Sequence, residues 1–258
     1  MQDRGLAAYI AELVGTLFLV FFITAIGVLF VSVGDQAQFG SDYAVIGLTY
    51  GFVLTVLIVG IGLASGGHFN PAVTLGAMVT KKIAAVDGII YMLAQLSGGV
   101  LGALLTKSLL LDEGRAANYG AATVSPLLAG NFAGMVVEAL GTFSLVLVIL
   151  AVGMGAKAIK DWAPLAIGLT FGFIGMVFGP LTGASVNPAR WFGPALVSGE
   201  WGGVWPYLVG PIVGALLAVA FFKFVIVKAE TDAGGTPIEP PTPASSPATK
   251  ATKAADKA

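Results

Sequence analysis

Long apolar runs with few charged residues dominate the first 228 residues of this chain. They cover residues 5–33, 43–80, 88–106, 116–156, 162–189 and 201–222. Each run is long enough to cross a bilayer, for which about 20 apolar residues suffice. Because a spanning segment must satisfy its backbone polar groups internally, we predict that these runs form transmembrane helices.

The run over residues 43–80 is too long to be one spanning helix. As a single helix it would extend about 57 Å, at 1.5 Å per residue, against a bilayer core of about 30 Å. It is also too short for two spans and a turn. Asn70 is among the best N-capping residues, and Pro71 suits the first turn of a helix because its missing N–H would have no partner there. We therefore predict a span, a turn at residues 65–67 and a short capped helix over residues 71–79.

The chain is a duplicated unit. Three segments of the first half recur in the same order in the second half: residues 12–16 (ELVGT) as 138–142 (EALGT), residues 46–52 (IGLTYGF) as 167–173 (IGLTFGF), and Asn70-Pro71-Ala72 as Asn187-Pro188-Ala189. Each unit holds three crossings, and because three is odd the second copy must enter the membrane from the opposite side. The predicted fold is an all-α membrane protein with six transmembrane helices and two re-entrant half-helices in an inverted repeat.

The two Asn-Pro sites place polar, non-helical backbone inside the membrane. Such backbone is tolerated only where it is buried in protein or faces water, so the two re-entrant loops should meet near the midplane and line a cavity. Their helix N-termini place about half a positive charge each at that point, which repels cations, including hydronium. The amides of Asn70 and Asn187 can donate to a solute oxygen while their own oxygens cap the half-helices. A water molecule held by both donors cannot readily pass a proton onward.

Composition supports a membrane protein and excludes several other classes. The chain is 57% hydrophobic and only 10% charged. A net charge of −1 without clustered Lys and Arg argues against nucleic acid as a partner. The absence of cysteine excludes disulfides, thiolate catalysis and cysteine metal sites. With no nucleophile–base pair, metal-ligand cluster or nucleotide loop in the membrane region, we expect no enzyme activity, cofactor or metal.

Charge asymmetry predicts the orientation. Basic residues cluster in alternate connections at Arg4, Lys81, Lys82, Lys157, Lys160 and Lys228, with Lys107 and Arg115 as exceptions. The positive-inside rule then places both termini in the cytoplasm of a multi-pass cell-membrane protein. We divide the chain into a first repeat over residues 1–110, an extracellular connection over 111–130, a second repeat over 131–228 and a disordered cytoplasmic tail over 229–258, which is rich in Pro, Thr, Ala, Ser and Lys.

The two Asn-Pro loops resemble the signature loops of the major intrinsic protein family, which comprises aquaporins and aquaglyceroporins. The matching residues are 65–74 (SGGHFNPAVT) and 185–190 (SVNPAR), and the resemblance extends over about residues 6–228. It implies an hourglass of six tilted helices and two half-helices, commonly a homotetramer with one pore per subunit. It also implies a passive channel for water and small neutral solutes, with the two Asn-Pro-Ala motifs in the pore.

A second constriction also follows from the resemblance. Arg190 occupies the position that forms the outer constriction in the family, where it donates to solutes and repels cations. The other three filter positions correspond to Tyr50, Gly175 and Ala184. Water-selective members have a histidine where this chain has Gly175, so the resemblance implies a wider constriction that admits glycerol as well as water. Other subfamily markers disagree with one another: Ala195 resembles water channels, Leu208 resembles glycerol channels, and Trp191 matches neither.

Three titratable residues receive supporting roles. By resemblance, Glu12 and Glu138 accept hydrogen bonds from backbone N–H groups of the re-entrant loops. His68 precedes Asn70 within its loop, and we favour a structural role for it over a pH gate, which its imidazole also permits.

A secondary transporter is the alternative to a channel, since transporters also use inverted repeats and broken helices. Transporters usually carry coupling carboxylates at the midplane, however, and the sequence places none near Asn70 or Asn187.

Overall fold

Helices account for all regular secondary structure in the computed structural model, which describes residues 5–30, 41–153 and 160–232. Six helices are long and apolar enough to span a membrane: α1 (Gly5–Val28), α2 (Ser41–Ser65), α4 (Ala85–Leu109), α6 (Gly130–Gly153), α7 (Ala163–Thr182) and α9 (Val204–Phe221). Two short helices, α3 (Pro71–Val79) and α8 (Pro188–Ser198), begin at the two Asn-Pro sites. The predicted fold class of six spans and two half-helices is therefore confirmed.

Some boundaries differ from the sequence prediction. The apolar run 116–156 is not one element, because the spanning helix starts only at Gly130. Before it lie the short helix α5 (Leu111–Ala116) and a 3₁₀ turn over Asn118–Gly120, whose three residues all have positive φ. Consecutive residues in this left-handed region cannot belong to a right-handed helix.

The end of the chain is helical further than expected. A π-helical turn over Phe222–Val227 extends the last span, and α10 (Lys228–Asp232) follows it. The rest of the predicted disordered tail, residues 233–258, lies outside the described residues, as do the basic residues at positions 4 and 157.

Glycine lets the spanning helices pack with their backbones close together. A Cβ atom on Gly210 of α9 would lie 2.8 Å from the carbonyl oxygen of Met135 in α6, and one on Gly98 of α4 would lie 3.0 Å from the backbone nitrogen of Leu17 in α1. The pairs α1–α4 and α6–α9 are thus equivalent in the two repeats. Small residues at such interfaces are the usual means of close helix packing in membranes.

The middle of the bundle is formed by α2 of the first repeat and α7 of the second repeat, which pack against each other. The Cβ of a residue replacing Gly51 would lie 2.8 Å from the carbonyl oxygen of Gly168. The buried side chains around this contact include Leu19, Tyr50, Leu54, Leu145 and Phe171. Large apolar side chains cover the outer surface instead: Leu63 is 98% exposed and Val56 is 67% exposed, as expected for a surface that faces lipid.

Candidate functional site

The tips of the two half-helices are joined by reciprocal hydrogen bonds. Asn70 Nδ2 donates to the carbonyl oxygen of Val186 at 2.8 Å, and Asn187 Nδ2 donates to the carbonyl oxygen of Phe69 at 2.9 Å. Each asparagine therefore binds the residue that immediately precedes the other asparagine. Both side chains are almost fully buried and both line the same cavity.

Each asparagine also caps its own half-helix. Asn70 Oδ1 accepts from the backbone N–H of Ala72 at 2.9 Å, and Asn187 Oδ1 accepts from those of Ala189 at 2.9 Å and Arg190 at 3.3 Å. A carboxamide carries two N–H donors, and the bond to the opposite loop uses one of them. One N–H of each asparagine thus remains for a molecule in the cavity.

The backbone that presents these carbonyl groups adopts an unusual conformation. Phe69 has φ of 46° and Val186 has φ of 41°, although neither is glycine. Left-handed backbone costs a non-glycine residue about 1–2 kcal/mol, so other interactions must hold these loops. Ala184 also has a positive φ of 46°, and its counterpart in the first loop is Gly67, three residues before its asparagine.

Two fully buried glutamates hold the loops. Glu12 on α1 accepts from the backbone N–H groups of His68 at 2.9 Å and Phe69 at 2.7 Å. Glu138 on α6 accepts from those of Ser185 at 3.0 Å and Val186 at 2.6 Å. The carboxylate in each repeat therefore satisfies two N–H groups that left-handed backbone removes from any helix.

Further side chains that the sequence analysis did not identify complete each carboxylate site. Ser65 Oγ donates to Glu12 at 2.6 Å, and Thr182 Oγ1 donates to Glu138 at 2.6 Å. Gln95 Nε2 adds a second side-chain donor at the first site, at 2.6 Å from Glu12. Ser65 and Thr182 end α2 and α7, and their separation (182 − 65 = 117) equals that of the two asparagines (187 − 70 = 117). The duplicated sequence could have revealed that pair.

His68 lies in the wall of the same cavity as the asparagines. Its Nδ1 is 3.1 Å from Thr74 Oγ1, and its ring meets the Tyr91 ring edge-on with centroids 5.3 Å apart. Gln95 Nε2 donates to the same Thr74 oxygen at 2.9 Å. These contacts tie His68 to the first half-helix and to α4. Its structural role and the alternative pH gate stay predictions.

Arg190, in the first turn of α8, points into a second polar cluster. Its NH2 group donates to Tyr50 Oη at 3.1 Å and to the carbonyl oxygen of Gly183 at 3.4 Å, and its NH1 group donates to the carbonyl oxygen of Gly120 at 3.4 Å. Tyr50 Oη in turn donates to the Gly183 carbonyl at 3.2 Å. Arg190 is only 3% exposed, so each of these bonds compensates for burial of its charge.

The four expected filter positions lie near one another, although in different ways. Tyr50 and Arg190 are bonded directly, and the buried Ala184 follows Gly183, whose carbonyl both of them bind. Gly175 packs against the Tyr50 ring, since a Cβ there would lie 3.1 Å from Tyr50 Cδ2. Their role as a filter stays a prediction.

The connecting segment between the repeats contributes to this cluster, which the sequence analysis did not foresee. Gly120 supplies the carbonyl group for Arg190, and the buried Tyr119 beside it lies under Lys107, whose Nζ is 5.0 Å from the ring centroid. Nothing in the spacing of this segment predicts which carbonyl it presents. Its position depends on contacts with α1 and α4 that only the fold reveals.

A cavity adjoins each of the two polar clusters, one at the asparagines and one at Arg190. The cavity around the asparagines has a volume of about 590 Å³ and a largely apolar wall that includes Leu19, Leu54, Leu145 and Phe171. The second cavity, of about 410 Å³, is lined by Tyr50, Arg190 and small residues of the connecting segment. The Tyr50 and Phe171 rings are 5.2 Å apart, one on each cavity. This ring pair therefore connects the walls of the two cavities.

The sequence model of the family described as major intrinsic protein matches residues 2–222. The chain belongs to the major intrinsic protein family. Similar relatives include the glycerol uptake facilitator protein-like 6 of Lactiplantibacillus plantarum, which is 39% identical over 81% of this chain and 94% of its own length. Nodulin-26 of Glycine max is 36% identical over 84% of this chain and 76% of its own length. Aquaporin AqpM of Methanothermobacter thermautotrophicus is 36% identical over 84% of this chain and 96% of its own length.

A solved structure shares the fold of this family member. The X-ray structure of the aquaglyceroporin from Plasmodium falciparum matches with a TM-score of 0.73 at 24% identity, covering 86% of this chain and 97% of that chain. The arrangement of six spans and two half-helices is therefore common to both proteins.

Replacing Glu12 by glutamine tests the carboxylate support. The amide would turn an N–H₂ group toward backbone N–H donors, and leaving a buried donor unpaired costs about 1–3 kcal/mol. We expect a lower thermal unfolding midpoint in detergent. Glu200→Gln is the matched control, because Glu200 Oε1 accepts one bond, from Gly202 N–H, that glutamine can also accept. Equal unfolding midpoints for the two variants would show that Glu12 does not hold the loop.

Proposed function

We propose that this protein is a passive membrane channel that conducts water and small neutral solutes such as glycerol and excludes protons and ions. The observation that carries the proposal is the pair of cross-bonded asparagines at the tips of two opposed half-helices. Their remaining N–H groups are polar sites in a largely apolar wall. A solute that enters the cavity loses hydrogen bonds to water and gains hydrogen bonds to these two donors. Few other polar groups line the wall, so little else binds the solute and slows its passage.

The electrostatics of the site favour neutral solutes. Two helix N-termini point at the asparagine pair, and the guanidinium of Arg190 borders the second cavity. All three contribute positive potential, which raises the energy of a cation in a water-excluded site. Because both asparagines donate, a water molecule bound between them accepts a hydrogen bond from each. A water molecule held in this way cannot readily pass a proton to the next water molecule in the pore.

The same cavities argue against the secondary transporter. Neither cavity is lined by an aspartate or glutamate among the described residues. Glu12 and Glu138 are fully buried, and loop N–H groups and side-chain donors occupy their oxygen atoms. A coupling carboxylate must bind and release an ion or proton during the cycle, which is incompatible with such a fixed structural role.

The solute range rests on Tyr50, Gly175, Ala184 and Arg190 as the outer filter. Relatives at 36–39% identity carry both glycerol-facilitator and aquaporin names, which supports a pore for both solutes. The mainly apolar wall of the cavity around the asparagines suits the carbon skeleton of a polyol.

Transport kinetics separate a channel from a transporter. In proteoliposomes after an osmotic shock, we expect water flux with low activation energy and no saturation, and glycerol flux above that of protein-free vesicles. Stopped-flow light scattering measures both. Saturable flux with a high activation energy would indicate a transporter, and water flux without glycerol flux would restrict the solute to water.

Arg190→Ala tests the cation barrier. If the guanidinium contributes at least about 1.4 kcal/mol to the barrier, its loss raises the proton leak at least about tenfold. A pH-sensitive dye inside proteoliposomes measures the leak. Arg115→Ala removes the same charge from the exposed face of α5 and serves as the control. A leak that is equally low in both variants would assign proton exclusion to the asparagine region alone.

We further propose a homotetramer in the cell membrane with both termini in the cytoplasm. The tetramer is supported by exposed apolar side chains on α1, α2 and α7, which leave surfaces that neighbouring subunits or lipid can cover. The orientation is supported by Lys81 and Lys82, which follow the first half-helix on the predicted cytoplasmic side. We expect crosslinking in native membranes to give a four-copy product, and a C-terminal tag to resist protease added outside the cell. A monomer or a cleaved tag would contradict the respective part.

A further inference from the structure

We propose that Gly175 does not widen the outer constriction, and that it makes room for the Tyr50 ring, so that these two residues act as one specificity-determining unit. The Tyr50 hydroxyl group then supplies the polar contact to Arg190 in place of a side chain at position 175. This inference rests on the proposed channel function and concerns how its outer filter selects solutes.

The first step is the close approach of α2 and α7. A Cβ on Gly47 would lie 2.6 Å from the carbonyl oxygen of Gly172, and one on Gly51 would lie 2.8 Å from that of Gly168. The two backbones therefore approach closely at these glycines, with the Met176 and Thr55 side chains packed beside Gly47 and Gly168. Tyr50, between these two glycines of α2, is therefore brought directly onto the surface of α7.

The second step is the place that the Tyr50 ring occupies. A Cβ on Gly175 would lie 3.1 Å from Tyr50 Cδ2, 3.3 Å from Tyr50 Cγ and 3.0 Å from Gly47 Cα. These distances are shorter than ordinary van der Waals contacts, so even a methyl group at position 175 requires the ring to shift. Phe171 lies on another side of the ring, with centroids 5.2 Å apart and planes inclined by 36°. The space that a side chain at position 175 would need is already filled.

The third step is the hydroxyl group. Tyr50 Oη accepts from Arg190 NH2 at 3.1 Å and donates to the Gly183 carbonyl at 3.2 Å. The Tyr50 hydroxyl group therefore occupies an N–H donor of Arg190 and the carbonyl acceptor of Gly183, both of which a passing solute could otherwise bind. Arg190 Nε is the guanidinium nitrogen without a partner among the described residues. A solute with several hydroxyl groups must compete with Tyr50 for these bonds, whereas water needs fewer of them.

A double-mutant cycle tests the pairing of the two residues. Gly175→Ala is measured alone and in a Tyr50→Ala background, and per-channel water and glycerol permeabilities are compared in proteoliposomes of known protein content. We expect Gly175→Ala alone to raise the ratio of glycerol to water permeability about threefold, because the displaced ring withdraws the Tyr50 hydroxyl group from Arg190, and to have a much smaller effect in the Tyr50→Ala background, where only the contact with Gly47 Cα remains. An equal effect in both backgrounds would overturn the proposal, since Gly175 would then act independently of Tyr50.

Tyr50→Phe tests the hydroxyl group separately. The ring stays, while the Arg190 donor and the Gly183 carbonyl become available to solutes, so we expect the ratio of glycerol to water permeability to rise about threefold, equivalent to about 0.65 kcal/mol. An unchanged ratio would overturn the polar role of Tyr50. This variant can overturn the hydroxyl part of the proposal even if Gly175→Ala does not fold.

Gly60→Ala is the matched control for Gly175→Ala. It makes the same chemical change on α2, where a Cβ would meet no atom within 4 Å, and it should leave both permeabilities unchanged. If the unmodified protein conducts only water, the cycle is evaluated on water permeability. If it shows no facilitated flux, the channel function itself is wrong, whereas normal flux with an additive cycle contradicts only the present inference.

Discussion

The whole arrangement depends on satisfying backbone polar groups at membrane depth. Each repeat interrupts its helices in the middle of the bilayer, where an unpaired N–H or C=O group costs several kcal/mol. Glu12 and Glu138 accept from the loop N–H groups that no helix pairs, and the two asparagines bind carbonyl groups of the opposite loop. Because each loop completes the other, neither half-helix is in its final position until both repeats have come together.

These bonds also explain how the cavity wall at the two asparagines becomes rigid. An asparagine that used all its polar groups for structure could not bind a solute, and one that used none would move. Here the side-chain oxygen caps a helix, one N–H binds the opposite loop and the other N–H remains for the cavity. The strained φ angles of Phe69 and Val186 are the conformational cost of presenting their carbonyl groups to that bond.

Glycine residues determine how closely α2 and α7 pack beside the site. At the contact between α2 and α7, the two backbones approach because both helices carry glycine there, and the Tyr50 ring fills the space beside Gly175. In a close-packed interior an absent side chain seldom leaves a void, because a neighbour takes its place. The composition of a constriction therefore does not by itself give its width, and a small residue at one position changes the position of the next.

The number of spans, the two broken helices and their inverted relation could all be predicted from the sequence, because they follow from the length of apolar runs, the helix-capping chemistry of Asn-Pro and the duplicated segments. The duplication also pairs Tyr50 with Phe171, which the sequence analysis did not use: their separation (171 − 50 = 121) equals that of the repeated segments around them (167 − 46 = 121). The rings of these two equivalent residues contact each other between the two cavities. The carbonyl of Gly120 and the occupied space at Gly175 were decided only by the tertiary structure. Local sequence determines where a helix starts and stops, whereas the distance between two helices depends on every residue along their contact, and a backbone carbonyl has the same chemistry at every position in the chain.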